Sequence, residues 1–125
     1  MKKNILILGS ESPRREKILL DLGLKIKKYK HNINEHKFIK KSNSFEEAVK
    51  CIAIAKNESI YTNLDNNDKN YFLLTADTLV WNSNFFFSKP NNLDEAKTNL
   101  NKLKNNSHFV STAICLRKKE HYEVK

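Results

Sequence analysis

The chain has 125 residues, which is long enough for one domain with a single modest hydrophobic core. No apolar run approaches the length of a membrane span, so the sequence argues against a membrane partner. The formal net charge is +9, from 23 Lys and Arg against 14 Asp and Glu, which invites a nucleic-acid or phosphate ligand. Lysine and asparagine are abundant throughout, as an AT-biased coding sequence would produce, so the net charge alone supports neither ligand strongly.

The scarcest residue types are concentrated near the start of the chain. Only three of the basic residues are arginine, and there are two glycines and two prolines. Five of these seven residues lie between positions 9 and 23, including the adjacent pair Arg14 and Arg15. Arginine presents a planar fork of five donors that suits bidentate contacts with phosphate. This segment is therefore the first candidate for a ligand site.

The cysteines and histidines show no metal-binding pattern. Cys51 and Cys115 lack metal-ligand spacing, and no signal peptide is recognisable, so the sequence predicts a cytoplasmic protein with free thiols. The four histidines also lack ligand spacing, and we expect them to be mostly solvated.

The first part of the chain predicts a strand, a helix and an edge strand in succession. Residues 5–8 form a continuous apolar run that is typical of a buried strand. Ser12 is a good N-cap and Pro13 suits the first turn of a helix, which Gly23 would end. In residues 24–30 apolar side chains alternate with lysines, as expected for an edge strand.

The middle of the chain predicts a long helix and a long strand separated by loops. Residues 31–43 are polar and indicate a loop. Ser44 begins a capping box, and apolar residues follow it at helical spacing. Residues 62–70 are rich in Asn and Asp and predict an exposed loop, after which residues 71–81 predict a strand.

The last part of the chain predicts a hairpin, a third helix and another strand. Residues 82–84 suit a hairpin turn, Asn92 can cap a helix, and residues 108–116 read as a strand. The final nine residues show no clear element. Because strands and helices alternate with one hairpin, the sequence predicts an α/β or α+β fold with a sheet of mixed direction.

Two charged residues interrupt apolar patterns. Asp77 lies inside the predicted strand, where burial is costly unless the carboxylate is paired, hydrogen-bonded or bound to a metal. The alternative is an outward-facing aspartate at a kink. Lys56 falls on the apolar stripe of the long helix, and there the alternative is a lysine whose amine reaches solvent. Lys89, held extended by the proline after it, and Glu35, in a polar segment, need no special role when taken alone.

Arg14 and Arg15 stand where a helix begins, although a helix N-terminus disfavours cations. In one reading both side chains point into water. In the other, backbone N–H groups at the helix start hold a phosphate that the two guanidiniums neutralise. We favour the anion site, although the loop is neither a Walker P-loop nor a dinucleotide fingerprint.

Six motifs, in order along the chain, resemble those of the Maf (septum formation protein) family of nucleotide pyrophosphatases. The opening LILGSESPRREKILLDLGL resembles LASxSPRRxxLLxxLG, and Asn34 with Glu35 resembles an acidic DE loop. FEEAVKCIAIAKNES and LLTADTLV resemble the RLAxxKA helix and the ADTxV strand. SKPNNLDEAKTNLNKL and SHFVSTAICL resemble KPxDxxEAxxxLxxL and THxVxTxxxL. The resemblance covers nearly the whole chain and implies one domain over residues 1–125.

The resemblance implies a cytoplasmic enzyme that hydrolyses a nucleoside triphosphate to the monophosphate and pyrophosphate, using a divalent cation such as Mg²⁺ or Mn²⁺. It implies a mixed α/β fold with an elongated sheet and a cleft between two lobes, similar to the inosine-triphosphate pyrophosphatases. One subgroup, with SPRR and ADT, acts on dTTP and UTP. Another, with tryptophan for the first arginine and SDQ for ADT, acts on 7-methyl-GTP. Arg14 and Thr78 therefore place this chain with the dTTP and UTP subgroup.

By the same resemblance, Asp77 is the catalytic carboxylate, which deprotonates the attacking water or holds the metal that activates it. Glu35 would share that metal with Asp77. Cations fixed around the phosphates would stabilise the charge that builds on the phosphoryl oxygens during transfer. The residues that match the family's substrate-binding positions are Ser10, Arg14, Arg15, Lys56 and Lys89.

The chain departs from the family pattern at its C-terminal end. Family members continue through a KAGxYxIQG segment and a C-terminal helix, so the resemblance implies a domain that is incomplete there. An incomplete sheet exposes an edge and apolar surface, and we therefore expect poor stability and weak activity from these 125 residues alone.

Two alternative functions are not enzymatic. One is an inactive or fragmentary nucleotide-binding remnant with a role in cell-division control. The other is a nucleic-acid binder, which only the net charge favours, since the chain has no aromatic stacking motif or recognition helix. The expected partner is thus a nucleoside triphosphate, without membrane or nucleic acid, and a homodimer is left open.

Overall fold

The computed structural model describes residues 4–41, 43–82, 86–87, 92–104 and 107–125, with residues 86–87 described by their backbone alone. Lys89 and most of the predicted hairpin turn lie outside these residues. The helices are α1 (Pro13–Asp21), α2 (Glu35–Lys41), α3 (Phe45–Asn63) and α4 (Leu93–Leu103), with a short 3₁₀ turn at Asp68–Asn70. The strands are β1 (Ile5–Leu8), β2 (Lys25–Lys28), β3 (Phe72–Trp81), β4 (Phe86–Phe87), β5 (Phe109–Lys118) and β6 (His121–Val124).

The described strands form one mixed sheet in the order β2-β1-β3-β5-β6, with β4 paired to the end of β3. β1 lies parallel to both β2 and β3, whereas β5 is antiparallel to β3 and β6. The predicted α/β fold with a mixed sheet is therefore confirmed. The lysine-rich segment after α1 forms β2 at the edge of this order, as its sequence pattern predicts.

Local capping signals explain where the helices begin. The side chains of Ser12, Ser44 and Asn92 accept hydrogen bonds from backbone N–H groups in the first turns of α1, α3 and α4. The predicted N-caps are therefore confirmed. Gly23 follows the end of α1 with a φ of 88°, a conformation that a glycine adopts without steric cost.

Helix α3 packs on one face of the sheet and forms the core. Its buried residues include Ala48, Ile52 and Ala53, which pack with Leu79 and Cys115 from β3 and β5. A second cluster joins the carboxyl-terminal half of α3 to the parallel strands; its members are Ile7, Ile60, Leu64 and Leu73. Lys56 on α3 and Asp77 on β3 therefore lie within a largely apolar interface, which restricts their side chains.

The sheet has a gap beside the middle of β3. On that edge, β1 pairs with residues 72–74 and β4 pairs with residues 80–81. Within the described part of the chain, no strand pairs with this edge between those two stretches, although β5 covers the other edge continuously from Leu73 to Trp81. The loop after β1 borders the gap, since the backbone N–H of Gly9 donates to the carbonyl of Leu74 over 2.9 Å.

Three predictions of irregular structure are wrong. The predicted loop at residues 31–43 contains α2, and the chain end predicted to lack an element contains β6. Residues 62–70 are not an exposed loop throughout, because α3 continues to Asn63 and Asp68 is 1% exposed. β6 forms by pairing with its neighbour in the chain, β5, and Asp68 is buried by contacts with Lys27 and Tyr29.

The sheet face opposite α3 carries exposed apolar side chains. Phe72, Val110, Ile114 and Leu116 are between 41% and 61% exposed, and they lie on this face by the strand alternation. In the part of the chain that is described, no helix is both long and apolar enough to cross a bilayer.

Candidate active site

Apart from Glu35 and Lys89, the predicted site residues come from four segments that meet at the gap in the sheet. Ser10 lies in the loop after β1, Arg14 and Arg15 lie in the first turn of α1, Lys56 is in α3, and the pair Asp77 and Thr78 is in β3. Adjacent residues of a strand point to opposite faces, so Asp77 faces α3 and Thr78 faces α1. The gap therefore brings groups from both faces of the sheet together.

Lys56 lies between two carboxylates. Its Nζ is 3.0 Å from Oδ1 of Asp77 and 3.0 Å from Oε1 of Glu35, and it also donates to the carbonyl of Ala76 over 3.4 Å. Because both oxygens are 3.0 Å from the same Nζ, the oxygens of Asp77 and Glu35 are separated by no more than the sum of these two distances. Lys56 is only 9% exposed, so the expectation of an amine that reaches solvent does not apply.

Asp77 is a buried carboxylate with one oxygen in use and one free. Burial raises the pKa of Asp77 above its ordinary value, and the adjacent Lys56 opposes that rise. Its Oδ2 is buried and has no hydrogen-bond partner among the described residues. A buried carboxylate oxygen without a donor is costly, and this atom is consequently the one available to a ligand, a metal or a proton.

Glu35 begins α2 rather than lying in a loop, which corrects the sequence expectation about its surroundings. Its side chain is 41% exposed, so it can reach both Lys56 and a bound ligand. Placement at the start of a helix is favourable for a carboxylate because of the partial positive charge there.

Arg15 is held in place by two hydroxyl groups. Its Nη1 donates to Oγ of Ser10 over 3.2 Å, and its Nη2 donates to Oγ1 of Thr78 over 2.7 Å. Oγ1 of Thr78 is also 2.9 Å from Oγ1 of Thr112 on β5. Arg14, by contrast, is exposed and has no hydrogen-bond or ion-pair partner within the described residues. The adjacent arginines thus differ: one is ordered and one is available.

His31 is a residue near the site that sequence reasoning missed. Its Nε2 is 4.0 Å from Oε1 of Glu35, and its Nδ1 is buried without a hydrogen-bond partner in the described structure. Burial lowers the pKa of His31, and the charge of Lys56 lowers it further, which favours the neutral imidazole at pH 7. The prediction that the histidines are mostly solvated is wrong for this one. Its position four residues before Glu35 was the only available signal.

A second buried charged cluster lies away from the site and serves the fold. Asp68 accepts hydrogen bonds from Lys27, over 2.7 Å, and from the hydroxyl of Tyr29. These bonds hold the pKa of Asp68 below its ordinary value and raise the pKa of Lys27 to about 12. The cluster ties the end of β2 to the 3₁₀ turn before β3.

A broad groove of about 1110 Å³ lies at the opposite end of the sheet. Its walls include Leu6, Phe72 and Leu116, and none of the predicted site residues lines it. The chemistry therefore points to the gap rather than to this groove, because the predicted charged residues and the unpartnered oxygen of Asp77 lie at the gap.

Comparison with known proteins links this chain to one family. A family model described as Maf-like protein matches residues 5–125. The protein named dTTP/UTP pyrophosphatase from Caldicellulosiruptor bescii is 36% identical over 111 residues, which cover 89% of this chain and 55% of that protein. A protein of the same name from Pelodictyon phaeoclathratiforme is 39% identical over 116 residues, covering 93% of this chain and 59% of that protein. The chain spans less than two thirds of the length of these relatives.

One solved structure also resembles the chain. The nucleoside-triphosphatase / dITP/XTP pyrophosphatase from Mycobacterium abscessus matches with a TM-score of 0.48 and 12% identity, over 97% of this chain and 68% of that one. This TM-score is too low to support a shared fold on its own.

Proposed function

The chain belongs to the family of Maf-like proteins, and from that membership we propose that it is a nucleoside triphosphate pyrophosphatase acting on dTTP and UTP. The reaction would hydrolyse the bond between the α- and β-phosphates, giving a nucleoside monophosphate and pyrophosphate. The observation that carries the proposal is the buried contact between Lys56 and Asp77, next to the loop and helix start that present Ser10 and Arg15.

Asp77 is the proposed catalytic carboxylate. Lys56 holds its Oδ1, which leaves the unpartnered Oδ2 either to accept the proton of a water that attacks the α-phosphorus or to hold the metal that would activate that water. As the new P–O bond forms, the bond to the bridging oxygen of the β-phosphate breaks and pyrophosphate leaves. The raised pKa of Asp77 makes it a stronger base than an exposed aspartate.

The basic residues are the proposed triphosphate ligands. Arg15 is already oriented by Ser10 and Thr78, so it can bind a phosphate oxygen with little loss of side-chain freedom. Arg14 is exposed and keeps all of its donors for the substrate. Lys56 would neutralise charge next to the reacting phosphorus, and Lys89, outside the described residues, completes the proposed set.

We propose that Glu35 and Asp77 hold a divalent cation, Mg²⁺ or Mn²⁺. The fit rests on the unpartnered Oδ2 of Asp77 and on the nearby carboxylate of Glu35. Mg²⁺ is commonly held by one or two carboxylates together with substrate phosphates and water. Since no group of three or more His, Cys, Asp and Glu in the described structure could hold an ion, substrate phosphates and water would have to supply the remaining ligands. A bound cation would neutralise charge on the phosphoryl oxygens.

The choice of dTTP and UTP rests on the names of the relatives and on two residues. Arg14 and Thr78 occupy the positions at which the sequence resemblance separates this subgroup from the one directed at 7-methyl-GTP. The direct bond between Arg15 and Thr78 supports a role for Thr78 at the site.

The test is release of pyrophosphate from dTTP, UTP and 7-methyl-GTP in the presence of Mg²⁺ or Mn²⁺. We expect turnover of dTTP and UTP in preference to 7-methyl-GTP, and a loss of at least about 10²-fold in Asp77→Asn. Asp94→Asn, on an exposed helix, is the matched control and should retain wild-type turnover. Equal turnover by Asp77→Asn and the wild type would disprove the proposed role of Asp77.

Calorimetric titration with dTTP separates the enzyme from its alternatives. Binding without turnover would support the nucleotide-binding remnant, and strongly salt-dependent binding of DNA would support the nucleic-acid binder. A single domain over residues 1–125, a cytoplasmic location and a homodimer stay predictions. A single cooperative unfolding transition would support the first of them.

A further inference from the structure

We propose that Thr112 is a positioning residue for the triphosphate site, acting on Arg15 through Thr78. The expected effect of Thr112 on turnover rests on the proposed function. The positioning of Arg15 by Thr112 does not, because it requires no substrate. Thr112 lies on β5, 97 positions after Arg15, so only the folded sheet brings it to the site.

The hydrogen bonds fix the direction of the chain of contacts. An arginine has only donors, so Oγ1 of Thr78 must accept from Nη2 of Arg15, at 2.7 Å. Oγ1 of Thr78 is also 2.9 Å from Oγ1 of Thr112. Whichever threonine donates in that pair, the bond restricts Thr78 to the side-chain rotamer in which its oxygen faces Arg15.

The backbone holds Thr112 where this contact is made. Thr78 and Thr112 are direct partners in the antiparallel ladder of β3 and β5, which is continuous from Leu73 to Trp81 on β3. Side chains directly opposite each other in such a ladder are close enough to interact. The ladder therefore holds Thr112 where it can fix Oγ1 of Thr78. Without Thr112, only the hydrogen bond to the mobile side chain of Arg15 would orient that oxygen.

The contact orders one arginine of an adjacent pair. Arg15 has bonds to Ser10 and Thr78 at two of its nitrogens, which together fix the plane of the guanidinium. Arg14 has no such partner in the described structure. Both threonines are exposed, so water could replace their hydroxyl bonds, and the pair contributes little to the stability of the fold. Its effect is instead to orient Arg15, a proposed ligand of the substrate phosphates, before substrate binds.

The test compares Thr112→Val, which keeps the shape and removes the hydroxyl, with Thr112→Ser, which keeps the hydroxyl. The chain has only three arginines, so a ¹H–¹⁵N spectrum contains three arginine Nε–H signals that can be assigned by substitution. We expect the Arg15 signal of Thr112→Val to move and its order parameter to fall toward that of Arg14. The signal of the buried Arg117 should not change, and Thr112→Ser should restore the wild-type spectrum.

Kinetics with dTTP provide the second readout. We expect Thr112→Val to raise KM about five- to tenfold with little change in kcat, as for the loss of one hydrogen bond in ligand binding, and Thr112→Ser to recover most of it. Thr98→Val, which removes a hydroxyl on exposed α4, is the control for the chemical change.

The outcomes separate this inference from the proposed function. An unchanged Arg15 signal in Thr112→Val would overturn the positioning role, whether or not the protein hydrolyses dTTP. A changed Arg15 signal in a protein without turnover would support the positioning role and reject the enzymatic proposal. Turnover with an unchanged KM in Thr112→Val would show that the hydroxyl does not act on substrate binding, and would also overturn the inference.

Discussion

At the scale of single residues, two buried aspartates have opposite electrostatic environments. Asp68 receives two hydrogen bonds and has a lowered pKa, whereas Asp77 has one free oxygen and a raised pKa. A buried carboxylate that is stabilised by hydrogen-bond donors is typical of a structural group. A buried carboxylate with an unpartnered oxygen is typical of a functional group. The difference between them supports the assignment of Asp77 to the site.

The two aspartates should respond oppositely to replacement by asparagine. The pKa of Asp68 is lower in the folded state, so its contribution to the free energy of unfolding is present above its unfolded pKa and is lost as pH falls through its folded pKa. Asp68→Asn should therefore lower the free energy of unfolding at pH 7 by about 1 to 3 kcal/mol. Because the pKa of Asp77 is raised in the folded state, its ionisation lowers the free energy of unfolding as pH rises from the unfolded pKa through the folded pKa. Asp77→Asn should consequently raise the free energy of unfolding at pH 7.

Urea unfolding between pH 3 and pH 8 measures both effects. The Asp68→Asn difference should shrink toward the acid end, and so should the Asp77→Asn difference, with the opposite sign. If Asp77→Asn proved less stable than the wild type at pH 7, the environment inferred for that carboxylate would be wrong. A stabilised but inactive Asp77→Asn would also show that its loss of turnover is not caused by unfolding.

At the scale of elements, the loop between β1 and α1 depends on a glycine for contact rather than for unusual dihedral angles. A Cβ atom at Gly9 would lie 2.3 Å from Cδ1 of Ile60 and 2.8 Å from Cγ2 of Thr75. The loop therefore approaches α3 and β3 more closely than any side chain would permit. This approach sets the position of Ser10 next to the gap.

Gly9→Ala should displace the loop and lower both stability and turnover. We expect a loss of about 1 to 3 kcal/mol in the free energy of unfolding, because the added methyl group overpacks the interface between α3 and β3. Gly23→Ala is the comparison, since a Cβ there meets nothing within 4 Å but its φ of 88° is unfavourable for alanine. It should lose stability by about 1 to 2 kcal/mol with unchanged kcat and KM. Wild-type stability and turnover in Gly9→Ala would contradict the close approach.

Elements with strong local signals could be predicted from the sequence, and elements that depend on packing or pairing with another element could not. The caps of α1, α3 and α4 and the apolar run of β3 are encoded within a few neighbouring residues. Helix α2 has only seven residues, and Phe38 and Ile39 become partly buried only by packing against the α3 cluster. β6 likewise depends on its pairing with β5.

The candidate site shows the same division. Asp77 and Lys56 could be found because each interrupts an apolar pattern of known period. His31 could not, because a histidine in a polar segment breaks no pattern. Thr112 falls on the second threonine of the motif THxVxTxxxL, but that resemblance assigns it no contact with the other site residues. Their importance arises from contacts with Glu35 and Thr78 that only the folded chain creates.

At the scale of the whole molecule, the two faces of the sheet differ in how they are covered. Helix α3 buries one face, whereas the opposite face exposes the apolar side chains of Phe72, Val110, Ile114 and Leu116. An apolar surface of this kind is prone to association. The sequence expectation of limited stability for these 125 residues stays a prediction.

The protein should therefore bind the dye 1-anilinonaphthalene-8-sulfonate in its native state. Replacing Ile114 and Leu116 together by threonine should reduce the dye fluorescence and any self-association seen by light scattering. The free energy of unfolding should change little, by about 0.5 kcal/mol per site, because both positions are exposed and threonine suits a strand. Replacing Leu93 and Leu100, exposed on α4, is the matched control. Equal dye binding by the Ile114 and Leu116 variant would disprove the role of the open face.

The gap in the sheet has a consequence for how the chain tolerates amino-acid change. Along an ordinary strand, tolerance alternates from residue to residue, since one side chain meets the core and the next meets solvent. Beside the gap, Asp77 contacts Lys56 on one face and Thr78 contacts Arg15 on the other, while the carbonyl of Ala76 contacts Lys56 within the plane of the sheet. Two consecutive side chains, those of Asp77 and Thr78, are therefore constrained at once, and the alternation of tolerance along β3 is interrupted there. Amino-acid change in β3 is therefore constrained most beside the gap, where the described strands pair with only one edge of β3.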